Sequence, residues 1–97
     1  MPAASVAVYC TDYCPYCHMA RRLLKSKQVD FTDISVEGRA DLRDWLREVS
    51  RQHTVPQIFI NGTPVGGYSD IADLDRQGKL DELLATPPAA DDPAIRS

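Results

Sequence analysis

All three cysteines of the chain, and one of its two histidines, lie within the stretch CTDYCPYCH, from Cys10 to His18. These residue types at this spacing could serve three chemistries. A C-x-x-C-H unit can attach haem, three cysteines and a histidine can close a zinc site, and a C-x-x-C pair can form and open a disulfide. The choice among them depends on the elements that position these side chains.

Composition and charge limit the choice. The chain has 97 residues, of which 43% are hydrophobic and 26% charged, and its formal net charge is −3. These values predict one small globular domain, and the lack of a basic patch argues against nucleic acid or a membrane surface as a partner. The start, MPAASVAVYC, lacks the features of a signal peptide. A cytoplasmic location is therefore expected, where clustered cysteines are more often catalytic or metal-binding than structural.

Hydrophobic periodicity predicts alternating strands and helices. Strands are predicted at 6–10, 31–36, 56–60 and 63–65, and helices at 15–27, 39–51, 69–78 and 80–84. Pro15 suits a first helical turn, and Asn61-Gly62 is a strong hairpin signal. The order β-α-β-α-β-β-α, with a last short helix, predicts an α/β domain whose four-stranded mixed β-sheet is flanked by helices in a thioredoxin-like fold. The domain is expected to span 1–85, and 86–97, rich in Pro, Ala and Asp, is expected to be a disordered tail.

The dithiol is the chemistry that these elements favour. Haem attachment needs export, and Met19 is too close to His18 in sequence to reach the opposite haem face. Zinc needs four converging ligands, but there is one C-x-x-C and the second histidine, His53, is isolated. A C-x-x-C at a strand-to-helix junction places Cys14 at the helix N-terminus, where backbone N–H groups favour the thiolate. Cys17 follows one turn later, within reach of a disulfide, and no metal is expected.

Three motifs together resemble those of the glutaredoxins, most of all the small dithiol bacterial type. They are CPYC at 14–17, TVPQIFING at 54–62 and GGYSD at 66–70, and the resemblance extends from about 6 to 84. It implies a glutathione-dependent thiol–disulfide oxidoreductase in which Cys14 attacks the glutathione sulfur of a protein–glutathione mixed disulfide. A second glutathione then releases oxidised glutathione. For protein disulfides, Cys17 would resolve the mixed disulfide and leave Cys14–Cys17 oxidised.

The resemblance also implies partners and a binding site. The partners would be glutathione, as co-substrate, and glutathionylated or disulfide-bonded proteins, with the chain acting as a monomer. Pro56 would be cis, and the backbone of Val55 would pair with the cysteinyl unit of glutathione. Asp70 would meet the γ-glutamyl group at a helix start, although a plain helix cap is an equal alternative. The expected glutathione-binding residues are Tyr16, Gln52, Thr54, Val55, Pro56, Gly67, Ser69 and Asp70.

Two departures from the family pattern affect the charge around the site. Many glutaredoxins carry a lysine three residues before the nucleophilic cysteine, where this chain has Thr11. That lysine helps to hold the glycine carboxylate of glutathione and favours the thiolate. Asp12 adds a negative charge that opposes ionisation of Cys14. The carboxylate would then be held from the segment before TVP, by Gln52 first, with Arg51 or His53 as alternatives.

Other interpretations stay open. Some glutaredoxins hold a [2Fe–2S] cluster between two subunits, using the first active-site cysteine and glutathione, but cluster-binding relatives usually have a smaller residue than Pro15 after that cysteine. A redox-inert interaction domain is a third class, against which the retention of both Cys14 and Cys17 argues. Cys10 is either a small buried hydrophobic residue or a regulatory thiol. Tyr68 either lines the glutathione site or covers the sheet edge.

Overall fold

The chain folds as alternating strands and helices in a computed structural model that describes residues 4–11, 14–52 and 54–96. The elements are β1 (Val6–Cys10), α1 (Pro15–Ser26), β2 (Thr32–Ser35), α2 (Ala40–Ser50), β3 (Gln57–Ile60), β4 (Thr63–Gly66), α3 (Tyr68–Arg76) and α4 (Lys79–Ala85). The predicted α/β class and element order are confirmed, with α4 as the additional short helix. The predicted ends differ from the observed ones by one or two residues. Within the described segments, no helix is both long enough and apolar enough to cross a bilayer.

The strands form one mixed sheet in the order β2-β1-β3-β4. β1 runs parallel to β2, and β3 runs antiparallel to both β1 and β4. The turn between β3 and β4 is formed by Asn61 and Gly62, whose φ angles of 53° and 80° match the hairpin predicted from this dipeptide. The register places Tyr9 opposite Gln57, so the end of β1 and the residues before β3 lie at the same edge of the sheet.

Hydrophobic side chains cover both faces of the sheet, so every residue of β1 and β3 is buried. The first cluster, packed by α1, α3 and α4, includes Val8, Cys10, Cys17, Leu24, Ile58, Ile71 and Leu80. The second, packed by α2, consists of Ala7, Tyr9, Ile34, Val36, Leu42, Leu46 and Phe59. Cys10, which ends β1, and Cys17 are thus both buried in the hydrophobic core on the first face of the sheet.

The apolar residues Leu42, Trp45, Leu46 and Val49 recur at helical spacing along α2, but they are not equally buried. Leu42 and Leu46 are buried, whereas the side chain of Val49, in the last turn, is exposed. Trp45 is half-buried and stacks on Phe59 with ring centroids 5.6 Å apart, beside Tyr9. These rings close the α2 side of the sheet below the predicted active site.

Residues 86–96 contain no helix or strand, and they contact β1 and the turn between β3 and β4. The Tyr9 hydroxyl donates to the Arg96 carbonyl, and the Asn61 side-chain amide donates to the Thr86 carbonyl at 3.0 Å. Burial raises the pKa of Tyr9 from 10.0 to about 12. The division of the chain at residue 85, and the disorder of the segment after it, stay predictions.

Candidate active site

Cys14 is the residue from which α1 starts. Its backbone is extended, with φ −103° and ψ 112°, and its carbonyl accepts the N–H groups of Cys17 at 3.1 Å and His18 at 3.3 Å. Pro15 occupies the first turn, where its missing N–H leaves no donor unpaired. The Cys14 thiol is half-buried and lies 3.7 Å from the carbonyl oxygen of Val55. The predicted nucleophile therefore sits where α1, β1 and the start of β3 meet.

The Cys17 thiol lies one helical turn further, and it is fully buried. All three cysteines are free thiols. Burial raises the pKa of Cys17, and the neighbouring Cys14 side chain acts in the same direction, whereas Cys10 and the Thr11 backbone act in the opposite direction. Burial also raises the pKa of Cys10. Cys17 is thus kept protonated beside Cys14, and Cys14 is the more accessible sulfur.

A cleft of about 360 Å³ opens beside Cys14. Its lining consists of Tyr16, Gln52, Thr54, Val55, Pro56, Gly67, Tyr68, Ser69 and Asp70. Every residue predicted to bind glutathione is in this set, brought together from three parts of the chain. Tyr68 is the one addition, and it is the position whose role the sequence left open.

The floor of the cleft comes from the segment before β3. The Val55–Pro56 peptide bond is cis, as the family resemblance implied. Gln57, the first residue of β3, has a fully buried side chain. Its amide nitrogen donates to the Gln52 side-chain oxygen at 2.9 Å and to the Thr54 carbonyl at 3.0 Å. Gln57 therefore holds two cleft residues in place through hydrogen bonds from its side-chain amide.

Sequence reasoning missed this role of Gln57. The available signal was an amide side chain in an otherwise apolar strand, QIFI, that is buried on both faces. A buried polar side chain needs a hydrogen-bond partner, so this residue could have been expected to bond to a neighbouring segment.

The far wall of the cleft is the start of α3. Gly67 is the residue before the helix, and its N–H donates to the Asp70 carboxylate at 2.9 Å. Gly66 has a φ of +115°, and a Cβ placed on it would clash with the same carboxylate. The capping role considered for Asp70 is therefore present in the structure. The turn itself therefore requires glycine at position 66, whatever approaches it from the cleft.

Two aromatic rings border the cleft. Tyr16, from the C-P-Y-C turn, is 61% exposed, and its ring centroid lies 6.5 Å from that of Tyr68. The rings bridge α1 and α3 across one side of the opening. Tyr68 therefore lines the cleft rather than merely covering the sheet edge.

The remaining candidates are placed as follows. Arg51, an alternative to Gln52, is exposed at the end of α2 and is not part of the cleft lining among the described residues. Asp12 and His53 lie outside the residues that the structure describes. Within residues 4–11, 14–52 and 54–96, no three His, Cys, Asp or Glu side chains are grouped so that they could hold a metal ion.

Comparison with known proteins decides the family. The glutaredoxin family model matches residues 6–65 of the chain. The chain belongs to the glutaredoxin family. The expectation drawn from the three motifs is thus confirmed, and the chain is an enzyme of the thiol–disulfide oxidoreductase type.

Individual relatives support the same conclusion. A glutaredoxin of Pseudomonas aeruginosa is 48% identical over 80 residues, which are 82% of this chain and 95% of that protein. Glutaredoxin 3 of Escherichia coli K12 is 44% identical over 81 residues, 84% of this chain and 98% of that protein. The crystal structure of a buckwheat glutaredoxin–glutathione complex superposes with a TM-score of 0.78 at 27% identity, covering 84% of this chain and 76% of that one. These likenesses confirm the thioredoxin-like fold.

Proposed function

We propose that this glutaredoxin uses glutathione to reduce protein–glutathione mixed disulfides and protein disulfides through Cys14 and Cys17. The observation that carries the proposal is the position of the Cys14 thiol. It lies at the N-terminus of α1 and 3.7 Å from the Val55 carbonyl, and Val55 lines the adjoining cleft. A peptide thiol seated in that cleft would present its sulfur to Cys14.

Reduction of a protein–glutathione mixed disulfide needs only the sulfur of Cys14. The Cys14 thiolate attacks the glutathione sulfur of the substrate, the S–S bond of the substrate breaks, and the protein sulfur leaves as a thiolate that takes a proton from water. Glutathione is then joined to Cys14. A second glutathione thiolate attacks that glutathionyl sulfur, which restores the Cys14 thiolate and releases oxidised glutathione. Each half-reaction uses or releases a thiolate at the start of α1, the end of a helix at which the dipole favours negative charge.

Reduction of a protein disulfide would use both cysteines. Cys14 attacks one sulfur of the substrate and becomes joined to it, and Cys17 then attacks Cys14, so that the substrate leaves with two thiols. Cys17 follows Cys14 by three residues, in the first turn of α1, a spacing at which a disulfide can close. Because burial raises the pKa of Cys17, it does not compete with Cys14 for the first attack.

Glutathione would lie along the cleft with its ends on opposite walls. The Val55 backbone offers strand-like pairing to the cysteinyl unit. The start of α3, at Ser69, would receive the γ-glutamyl carboxylate, and Asp70 would pair with the ammonium group. Gln52, held by Gln57, would donate to the glycine carboxylate. The buckwheat relative crystallised with glutathione supports a ligand of this kind. No observation on the described residues favours the [2Fe–2S] alternative.

The test compares three thiols as reductants in a coupled assay on a small glutathione mixed disulfide. They are glutathione and its two component dipeptides, γ-glutamylcysteine and cysteinylglycine. Cysteinylglycine lacks the γ-glutamyl group and should raise KM roughly tenfold, because one charged pair is lost. The variant Asp70→Asn keeps an oxygen that can cap Gly67 but removes the charge. It should raise KM for glutathione and γ-glutamylcysteine while leaving KM for cysteinylglycine unchanged. Equal KM values for all three thiols would contradict glutathione recognition in this cleft.

A further inference from the structure

A second concave surface adjoins the cleft on its α1 side. Its volume is about 380 Å³, close to the 360 Å³ of the cleft, and it is lined by Met19, Arg22, Leu23 and Tyr68. We call this surface the α1 groove. Tyr68 lines both the cleft and the α1 groove, so the two surfaces share a wall. A polypeptide that leaves the cleft over Tyr68 therefore enters the groove directly.

The lining of the α1 groove is apolar apart from one cationic residue, Arg22. Met19 is 40% exposed although it is hydrophobic, and Leu23 and Tyr68 are half-buried and pack against the first core cluster. Core packing holds Leu23 and Tyr68 in place, while a methionine side chain adapts its shape to different partners. The groove can therefore bury a hydrophobic side chain of another polypeptide.

Helix α1 is a basic element of an acidic protein. It contains Arg21, Arg22 and Lys25 and no Asp or Glu, so it carries +3 while the whole chain carries −3, which leaves −6 for the rest. Arg21 pairs with Asp33, and Lys27, after the helix, pairs with carboxylates of α3 and α4. Among the described residues, no ion pair includes Arg22 or Lys25. An acidic segment is thus repelled by most of the surface and attracted to α1.

We propose that the α1 groove binds the polypeptide of a glutathionylated substrate protein, and that it favours substrates with a hydrophobic and an acidic side chain beside the modified cysteine. The inference rests on the proposed function, which places the glutathionyl group of the substrate in the cleft. The polypeptide joined to that group must leave the cleft over one of its walls. Its hydrophobic side chain would lie on Met19 and Leu23, and its carboxylate would pair with Arg22.

A different depression also shares residues with the cleft, and its size argues against the same role. It lies against α2 and the segment before β3, and its volume is only about 30 Å³. A space of that size has room for about one or two water molecules. The side chains of a substrate therefore fit on the α1 side of the cleft and not on the α2 side.

The α1 groove would act in one half of the reaction only. The polypeptide leaves as a thiol when Cys14 takes up the glutathionyl group, so it is absent when the second glutathione binds. Changes in the groove should therefore alter kcat/KM for a polypeptide substrate without altering KM for glutathione. Small mixed disulfides that do not reach the groove should react as before.

A set of glutathionylated peptides tests the preference. Each peptide carries its modified cysteine between mirrored flanks, so that either chain direction presents the same side chains to the groove. The flanks contain leucine and glutamate, leucine and glutamine, leucine and lysine, or alanine and glutamate. We expect kcat/KM for the leucine–glutamate peptide to exceed that for the leucine–glutamine peptide about twofold to fivefold, with the lysine peptide lowest. The advantage should shrink as salt is added. Equal kcat/KM values for the four peptides would overturn the proposal.

Matched variants assign the preference to the groove. Arg22→Gln and Lys25→Gln each remove one positive charge from α1, but Lys25 is not part of the groove lining among the described residues. Arg22→Gln should abolish the advantage of glutamate over glutamine, whereas Lys25→Gln should keep most of it. Met19→Ala should reduce the advantage of leucine over alanine and leave that of glutamate. Equal effects of the two charge variants would reflect net charge alone and would contradict binding in the groove.

A small glutathione mixed disulfide separates this inference from the function on which it rests. All three variants should reduce it at the wild-type rate, with an unchanged KM for glutathione. If wild type reduces the small disulfide but does not distinguish the peptides, the groove has no role and the proposed function stands. If wild type cannot use glutathione to reduce the small disulfide, both proposals fall.

Discussion

The Sγ atom of Cys14 lies 3.7 Å from the carbonyl oxygen of Val55, a residue 41 positions later in the chain. This contact joins the start of α1 to the segment that enters β3. Anything that displaces that segment changes the position of a bound thiol relative to the Cys14 sulfur. The segment is held in turn by Gln57, so the geometry of the reacting atoms depends on a side chain that faces away from them.

Replacing Gln57 by Leu should weaken glutathione binding without disabling the chemistry. The change removes the donor that orients Gln52 and holds the Thr54 carbonyl. We expect KM for glutathione to rise roughly threefold to tenfold and the free energy of unfolding to fall by about 1 to 2 kcal/mol, with kcat little changed. Steady-state kinetics on Gln57→Leu, Gln52→Leu and the double variant provide the check. Since the residues act as a unit, the two increases in KM should not add; independent effects would refute the positioning role.

Gly66→Ala should destabilise the protein through the turn before α3. The φ of +115° is strained for any residue with a Cβ, and that atom would clash with the Asp70 carboxylate that caps Gly67. A loss of roughly 2 to 4 kcal/mol in urea unfolding is expected. Gly38→Ala is the matched control, because φ is +68° there but no described atom lies within 4 Å. It should cost about 1 kcal/mol. Similar losses in both variants would show that the contact with Asp70 is unimportant.

Alkaline pH should unfold the protein partly through Tyr9. Its pKa is raised by burial from 10.0 to about 12, so the unfolded chain ionises first. The stability that Tyr9 contributes is complete below pH 10 and is lost as pH rises from 10 towards 12, by an amount on the order of 2 to 3 kcal/mol. Urea unfolding of wild type and Tyr9→Phe across this range measures it. The phenylalanine variant should show a shallower decline, and parallel curves for the two proteins would exclude the effect.

Thr11→Lys should accelerate alkylation of Cys14 by iodoacetamide severalfold at neutral pH. Thr11 supplies no charge near Cys14, whereas a lysine at this position would place a cation there. A nearby cation favours the reactive thiolate form of a cysteine. The acceleration should shrink as salt is added. Thr63→Lys makes the same change in net charge at the start of β4, at the opposite end of β3 from Val55, and should leave the rate unchanged. Equal rates for the two lysine variants would mean that position 11 does not act on the sulfur.

The helices, strands and turn that were predicted correctly depend on signals between residues close together in the sequence. Pro15 marks a helix start, Asn61-Gly62 marks a hairpin, and apolar spacing marks the strands, because each depends on neighbouring residues alone. Contacts between distant elements could not be obtained in this way. The bond from Gln57 to Gln52 and the exposure of Val49 depend on how α2 meets the sheet.

The cleft was predicted for a different reason. Its residues come from three segments, and no periodicity or spacing connects them. The family resemblance supplied them, and it also supplied the cis bond before Pro56.

The most direct test of the account is a comparison of Cys14→Ser and Cys17→Ser on two substrates with glutathione as the reductant. One substrate is a small glutathione mixed disulfide and the other is a protein disulfide. Cys14→Ser should be inactive on both, and Cys17→Ser should keep most of its activity on the mixed disulfide while losing activity on the protein disulfide. Turnover of the mixed disulfide by Cys14→Ser at the wild-type rate would contradict the assignment of Cys14 as the reacting sulfur.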